Sequence, residues 1–148
     1  MRRLAGVVGL AALTACASSI TPAENDVTLV AEQGEYSTHA GGTHATVSVA
    51  LRIINKSDLP ARLGCSFNVE RDRGSGFETV SHGACSVPSS AGTIPARSEE
   101  LRVLSRAMEA SVIEESARYR VATSIALGPD FTSGIGHKST SFALVRRE

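Results

Sequence analysis

Residues 119–127 read Tyr-Arg-Val-Ala-Thr-Ser-Ile-Ala-Leu. The odd-numbered positions carry Tyr, Val, Thr, Ile and Leu, whereas Arg, Ala, Ser and Ala lie between them. A period of two is typical of a β-strand that buries one of its faces. Gly128 and Pro129 follow at once and end the stretch with turn-forming residues. This segment therefore predicts a β-strand rather than a helix.

Similar patterns recur along most of the chain, separated by segments rich in Gly, Pro, Ser and Asn. Strands are predicted at 27–30, 46–53, 62–70, 77–80, 100–104, 119–127 and 140–144. Residues 71–76 are predicted to form a hairpin loop, and residues 86–97 a longer loop. About seven short strands joined in this way predict an all-β fold, an immunoglobulin-like antiparallel β-sandwich.

Two local features allow alternative interpretations. Ser111-Val112-Ile113-Glu114 fits a capping box for one short helical turn, or else a loop between strands. Tyr119 begins the next-to-last strand, where a tyrosine corner would bond its hydroxyl to nearby backbone. The alternative is a Tyr that simply fills the core.

The N-terminus has the layout of a secretory signal. Met1-Arg2-Arg3 is a basic start, and an apolar run from Leu4 to Ala15 follows it. That run is shorter than the roughly 20 residues a membrane-spanning helix needs. Export with removal of residues 1–15 is therefore expected, rather than a permanent transmembrane anchor.

Leu13-Thr14-Ala15-Cys16 resembles the lipobox of bacterial lipoproteins. The resemblance implies that the Cys16 thiol is diacylated and that the peptide is cut just before it. Two acyl chains would anchor the chain stably at a membrane surface. The alternative is ordinary secretion, because Ala15-Cys16-Ala17 also fits the small-x-small rule of a conventional signal peptidase.

Three segments follow from this organisation. Residues 1–15 are the signal peptide, 16–26 the lipidated Cys and a flexible tether, and 27–148 the sandwich. Residues 17–26 are small and polar, and they could span about 30 Å when extended. Ala17 is not Asp, which by resemblance to enterobacterial sorting permits outer-membrane delivery. The expected location is the cell envelope, in the periplasmic or outer-membrane leaflet if the host is Gram-negative.

Four runs within roughly residues 45–127 resemble small bacterial immunoglobulin-like envelope domains, among them the intracellular proteinase inhibitor domain of bacilli. The runs are Ile54–Pro60, Cys65–Val69, Thr93–Ser98 and Tyr119–Ala122. The resemblance implies a sandwich and, as an alternative function, inhibition of an extracytoplasmic protease through a surface loop. The chain departs from that family in carrying an export signal and a pair of cysteines.

Three cysteines are present, and a lipid on Cys16 would leave Cys65 and Cys85 as a pair. Export to an oxidising compartment favours a disulfide between them. Closing a loop of about 20 residues would stabilise the fold by about 3 kcal/mol. Two free buried thiols, or a metal or redox site, are the alternatives.

Residues that could carry chemistry are scattered. His39 and His44 lie in a Gly-rich stretch and could bind a transition metal, but on an extended chain they are expected on opposite faces, as exposed loop residues. His82 lies near Cys85, and a disulfide would remove that thiol as a nucleophile. Gly74-Ser75-Gly76 and Gly134-Ile135-Gly136 lack the context of a nucleophile elbow or a phosphate loop. No catalytic residue, metal or cofactor is therefore predicted.

The composition argues against some ligands. The formal net charge is zero, and no Trp is present, so neither a basic surface nor abundant stacking rings favour nucleic acid. The expected partners are the membrane, through Cys16, and possible envelope proteins. The predicted function is a non-catalytic, membrane-anchored interaction or structural module. Its specificity is expected in the loops at 71–76, 86–97 and 129–138.

Overall fold

The structure, a computed structural model, describes residues 26–83, 92–128, 131 and 134–147. Its strands are β1 Val27–Ala31, β2 Glu35–Gly41, β3 His44–Asn55, β4 Ala61–Asp72, β5 Phe77–His82, β6 Thr93–Ile94, β7 Ser98–Glu109, β8 Arg118–Leu127, β9 Gly134–Lys138 and β10 Phe142–Arg147. The all-β fold is confirmed. The described part has ten strands rather than about seven, because β2, β6 and β9 form where loops were predicted.

The strands form one folded-over sheet. The path of hydrogen-bonded neighbours runs β1-β3-β2-β10-β8-β4-β5, while β7 pairs with β3, β9 with β8 and β6 with β4. Neighbours are antiparallel except β2 and β10, which pair in parallel. The expectation of a wholly antiparallel sandwich was therefore wrong at this one pair. The parallel pair joins the β1-β3-β7 layer to the β10-β8-β4-β5 layer.

The core lies between the two layers. From β3, alternate residues from Ala45 to Ile53 are buried, and from β8 the residues Tyr119, Val121 and Ile125 are buried in the same apolar cluster. The period of two in the sequence thus corresponds to the inward face of each strand. Burial of these faces against each other drives the sheet to fold over.

A trio of aromatic rings occupies the centre of this core. Phe142 contacts Tyr36 edge-to-face, with ring centroids 5.2 Å apart, and is stacked with Tyr119 at 6.5 Å. The Tyr119 hydroxyl accepts a hydrogen bond from the backbone N–H of Glu114 (2.7 Å) and lies 3.2 Å from the carbonyl of Val112. Its ring is 0% exposed. The predicted tyrosine corner is therefore confirmed, and the same residue also fills the core.

A short 3₁₀ turn at Ala110–Val112 precedes the corner. The helical turn is confirmed, but the capping box was wrong: the residue that caps the turn is Glu109, and it makes no side-chain cap bond. Ser111 lies inside the turn instead of before it. Side chains from other strands hold the turn: the Tyr119 hydroxyl and the Arg71 guanidinium donate to the carbonyl of Val112, and Arg146 donates to that of Ala110.

The buried amide of Asn55 organises the loop after β3. It is 1% exposed; its Nδ2 donates to the carbonyls of Leu59 and Pro95, both at 2.9 Å. Its Oδ1 accepts from the backbone N–H (3.1 Å) and hydroxyl (2.7 Å) of Ser57. The side chain therefore joins two loops that are about 40 positions apart in the chain.

The two ends of the described chain lie at opposite ends of the sandwich. Val27 pairs with Asn55, the last residue of β3, whereas Arg147 lies opposite His39, near the β2–β3 hairpin. Since His39 pairs with Thr46, nine residues before Asn55 along β3, about 30 Å separates these ends. The β4–β5 hairpin and the 3₁₀ turn lie at the end that is remote from Val27.

Candidate functional site

The predicted site residues lie mostly outside the described part of the chain. Cys16 and Cys85 belong to the ranges 1–25 and 84–91, and only the backbone of Cys65, on β4, is described. Lipidation and the disulfide therefore stay predictions. The predicted loop at 86–97 is described from residue 92 onward, where β6 forms.

The histidines near the Gly-rich stretch lie on strands, which corrects their assignment to a loop. Gly42 turns the chain with φ 71°, as the first central residue of a tight hairpin of this kind can require. His39 pairs with Thr46, so His44, two residues before Thr46, lies on the same outer face as His39. The expectation of opposite faces was wrong because the hairpin folds the stretch back. Among the described residues, no three His, Cys, Asp or Glu side chains are grouped to hold a metal ion.

An ion cluster closes the remote end of the sandwich. Arg71, with a side chain 7% exposed, donates to Glu78 and Glu114, both at 2.6 Å, and to the carbonyl of Val112 at 3.0 Å. Arg73 also donates to Glu78 (2.7 Å). The hydrogen bond from Arg71 holds the pKa of the Glu78 carboxyl below its usual value of 4.5. These contacts tie the β4–β5 hairpin to the 3₁₀ turn, and the charges neutralise one another.

A polar groove of about 330 Å³ lies on the sheet formed by β4, β8 and β9. The strands are in register across it, with Asn68 opposite Ala122 and Ala122 opposite Lys138. Two residues farther along β8, on the same face, Ser124 lies opposite Gly136. Small residues on β8 and β9 thus form its floor, and longer polar side chains border it. We call this feature the β4-β8-β9 groove; its lining residues are Ser66, Asn68, Ala122, Thr123, Ser124, Gly136, His137 and Lys138.

A bulge in β4 shapes one wall of the groove. Leu63 pairs with Ile125 and Phe67 with Thr123, so four steps along β4 face two steps along β8. Such an insertion bends the strand and redirects its side chains. Thr123 bridges the bulge by donating to the carbonyl of Ser66 (2.9 Å). The bulge requires Gly64, because a Cβ there would lie 2.8 Å from the carbonyl oxygen of Ser124.

Most polar side chains that line the groove have no hydrogen bond or ion pair with another described residue. Ser66, Asn68, Ser124 and Lys138 make no side-chain hydrogen bond or ion pair with any residue in the described ranges. His137 is buried at the groove and does have an interaction partner. Four free polar groups therefore border one depression.

Cation–π pairs lie beyond the groove along the same strands. The Arg120 guanidinium lies 3.6 Å from the centroid of the Phe77 ring and also donates to Glu70 at 2.6 Å. Farther along β4, Arg62 lies 4.1 Å from the centroid of the Phe131 ring. Arginine over an aromatic face is attracted by the ring quadrupole. These contacts hold the side chains of Arg120 and Arg62 against aromatic rings.

A second surface feature lies on the opposite layer. Leu101 and Val103 on β7 are 58% and 64% exposed, the two large apolar side chains that stand out among the described residues. In the described part of the chain β7 pairs only with β3, which makes it an edge strand. Two exposed apolar residues on an edge strand are an ordinary surface feature at this size.

The sequence contained a signal for the groove that was not recognised. Outward positions of β8 carry Ala122, Ser124 and Ala126, and β9 alternates Gly134 and Gly136 with larger residues. Small outward side chains at these neighbouring positions leave a depression, and Lys138 borders it. The depression depends on the pairing of β8 with β9, whereas the sequence pattern predicts a loop at residues 134–138.

Comparisons with known proteins show the fold alone. The solved structure of Northeast Structural Genomics Consortium target SoR45 is similar with a TM-score of 0.57 and 15% identity, covering 84% of this chain and 90% of that one. Less similar are Spo0M, a sporulation control protein from Bacillus subtilis (TM-score 0.45, 11% identity, 80% of this chain and 48% of that one), and CsgH of R. palustris (0.32, 16%, 76% and 89%). No protein-family description and no curated protein sequence matches this chain.

The class that these observations define is an all-β domain built on one folded-over, mixed sheet. In the described ranges, the structure contains no helix with the length and apolar character needed to cross a bilayer.

Proposed function

We propose that this chain is an exported lipoprotein whose β-sandwich is a non-catalytic binding module. Lipid on Cys16 would hold it at the cell envelope, and the β4-β8-β9 groove would contact its ligand. The observation that carries the binding role is the set of four polar side chains that border this groove and have no hydrogen-bond or ion-pair partner among the described residues. Free polar groups converging on a concave surface are typical of binding sites.

The non-catalytic part of the proposal is supported by how the acidic side chains are used. Glu32, Glu70 and Glu78 each accept hydrogen bonds from an arginine at 2.6 Å. The hydrogen bond from Arg52 holds the pKa of the Glu32 carboxyl below its usual value. Carboxylates held in this way are poor proton acceptors near neutral pH. The proposed partners are the membrane and an envelope component, with no cofactor and no nucleic acid.

A disulfide between Cys65 and Cys85 belongs to the same proposal. The described register of β4 and β5 ends at the pair Asn68 and His82. Cys65 precedes Asn68 by three positions, and Cys85 follows His82 by three positions. A disulfide would therefore close a loop of about 20 residues that contains the β4–β5 hairpin, and it would stabilise the fold by about 3 kcal/mol.

The alternative function, inhibition of an extracytoplasmic protease through a surface loop, has less support. The β4–β5 hairpin loop is tied down, because Arg73 donates to Glu78 and the Asp72 carboxylate accepts from the N–H of Gly74. The exposed tip of the loop is Gly74-Ser75-Gly76, which offers a protease only one short side chain to recognise. A panel of proteases assayed with the purified protein tests this alternative.

The anchor is tested with a labelled fatty acid supplied to growing cells. We expect label on the wild-type chain, and none on Cys16→Ser, which should also leave the membrane fraction. Unlabelled wild-type protein, or a Cys16→Ser variant that stays in the membrane, would contradict lipidation. Thiol titration of the denatured, unreduced protein should find no free thiol, whereas two per chain would contradict the disulfide.

The binding role is tested by placing a photo-crosslinking residue at Ser124 in the groove or at Ser105 on the opposite layer. Both positions are exposed serines on strands, so they are matched controls. We expect an adduct in intact cells only from position 124. Equal adducts from both positions, or adducts from position 105 alone, would contradict a role for the groove.

A further inference from the structure

The side chains that border the β4-β8-β9 groove carry several hydrogen-bond donors that have no acceptor among the described residues. Lys138 carries three ammonium donors, Asn68 two amide donors, and Ser66 and Ser124 one hydroxyl donor each. None of these side chains is engaged elsewhere in the described ranges. The outward-facing residues between them, Ala122 and Gly136, do not fill the space. A ligand entering the groove would therefore meet several free donors.

The charge of the groove has one sign. Lys138 is a cation, and none of the described residues that line the groove carries a carboxylate. The neighbouring acidic residue on the same strands, Glu70, pairs with Arg120 at 2.6 Å, and that pair is mostly buried. The ammonium of Lys138 is therefore not neutralised by a partner within the described residues. An anionic ligand would find a favourable site, and a cationic ligand would not.

From these donors and this charge, we infer that the groove binds an oxyanion: a carboxylate, phosphate or sulfate group. The inference rests on the proposed binding role of the groove and names the chemistry of its ligand. An oxyanion accepts hydrogen bonds from several donors at once, and the one from the ammonium is charge-assisted. Because Lys138 is exposed, binding should weaken as the salt concentration rises.

Direct titration tests the inference. The full chain, labelled with ¹⁵N and purified in detergent micelles, is titrated with sodium acetate, phosphate or sulfate against sodium chloride at constant ionic strength. We expect saturable shifts of the backbone amides of Ala122, Ser124 and Lys138 with at least one oxyanion and not with chloride. The anion that saturates at the lowest concentration identifies the class of group.

Three variants test whether the oxyanion binds in the β4-β8-β9 groove. Lys138→Met should raise the dissociation constant about tenfold or more, while Lys56→Met, which removes another lysine outside the groove, should leave it unchanged. Gly136→Val adds bulk where a Cβ meets no atom within 4 Å, so it should fold and yet block binding. Circular dichroism of each variant verifies the fold.

Absence of saturation by every oxyanion below about 10 mM, or an unchanged affinity in Lys138→Met, would overturn the inference. Failure here is separable from failure of the proposed function. If no oxyanion binds but position 124 still gives its specific adduct in cells, the binding role stands and only the ligand class is wrong. If oxyanions bind while Cys16→Ser stays in the membrane, only the anchor is wrong.

Discussion

Replacing Asn55 by Asp changes one buried amide nitrogen to oxygen while keeping the shape of the side chain. In the native structure this nitrogen donates to the carbonyls of Leu59 and Pro95, both at 2.9 Å. In Asn55→Asp a carboxylate oxygen would face the same two carbonyl oxygens. Two donated hydrogen bonds are lost, and the buried charge keeps only the two hydrogen bonds that Ser57 donates.

The magnitude follows from these contacts. Two lost hydrogen bonds remove about 2 kcal/mol, and burial of the charge against two carbonyls adds about 2 kcal/mol. At neutral pH the free energy of unfolding should therefore fall by about 4 kcal/mol. A domain of this size has only about 5–15 kcal/mol in total.

The part of this loss that comes from burying the charge depends on pH. Burial against carbonyl oxygens raises the folded-state pKa of the new carboxyl above its unfolded value of about 3.9. A penalty of 2 kcal/mol corresponds to about 1.5 pKa units. The deficit relative to wild type should thus be smallest below pH of about 3.9 and should grow until about pH 5.4, because a protonated carboxyl can again donate one hydrogen bond.

Urea unfolding at several pH values measures both the loss from the hydrogen bonds and the loss from the buried charge. Far-UV circular dichroism is the probe, because the chain has no Trp. The matched control is Asn68→Asp, the same chemical change on a half-buried Asn whose side chain makes no hydrogen bond in the described ranges. It should shift the unfolding free energy by less than about 0.5 kcal/mol. A loss below about 1 kcal/mol for Asn55→Asp, or a deficit that does not shrink in acid, would refute the reasoning.

Three further outcomes are expected. Tyr119→Phe keeps the ring but removes the corner hydroxyl, so the unfolding free energy should fall by about 1–3 kcal/mol in urea titrations; an unchanged midpoint would contradict the corner. Because the folded-state pKa of Glu78 is lowered, its contribution is present above the unfolded pKa and is lost as pH falls through the folded one. Arg71→Met should therefore be less stable than wild type at pH 7 and lose less stability on acidification, and parallel pH profiles would contradict this. Gly64→Ala places a Cβ 2.8 Å from a facing backbone carbonyl and should lower the melting temperature, unlike Gly136→Ala, which meets no atom within 4 Å; equal melting temperatures would contradict the close approach at the bulge.

The buried strands could be predicted from the sequence because their neighbours enforce one inward face. β3 and β8 lie inside the sheet, with strands on both sides, so every second residue must be apolar. Tyr119 could be placed at the corner because the start of β8 was clear from this pattern. Strand identity in such segments is a local property.

The strands that the sequence did not predict form because they pair with neighbouring strands. β2 reads Glu-Tyr-Ser-Thr-His-Ala-Gly and has no clear apolar face, and it forms because it bridges β3 and β10. β9 contains Gly134 and Gly136, which have low strand propensity, and it forms along β8. Pairing of this kind is non-local, so a single sequence does not reveal it.

The same limit applies to the groove. Its border combines Asn68 from β4, Ser124 from β8 and Lys138 from β9, which meet only through the register of three strands. Nothing in the local sequence marks them as neighbours. The ion cluster around Arg71 was missed for the same reason, because Glu114 is more than forty positions away.

The attachment of β1 determines how the domain would respond to mechanical tension. Five consecutive residue pairs, from Val27 with Asn55 to Ala31 with Leu51, hold this strand antiparallel to β3. A load applied between Val27 and the opposite end of the sandwich, at Arg147, acts along the strand, so it shears all of these pairs together instead of peeling them apart singly. A tethered domain built in this way would keep its first strand seated while the surface that carries it moves.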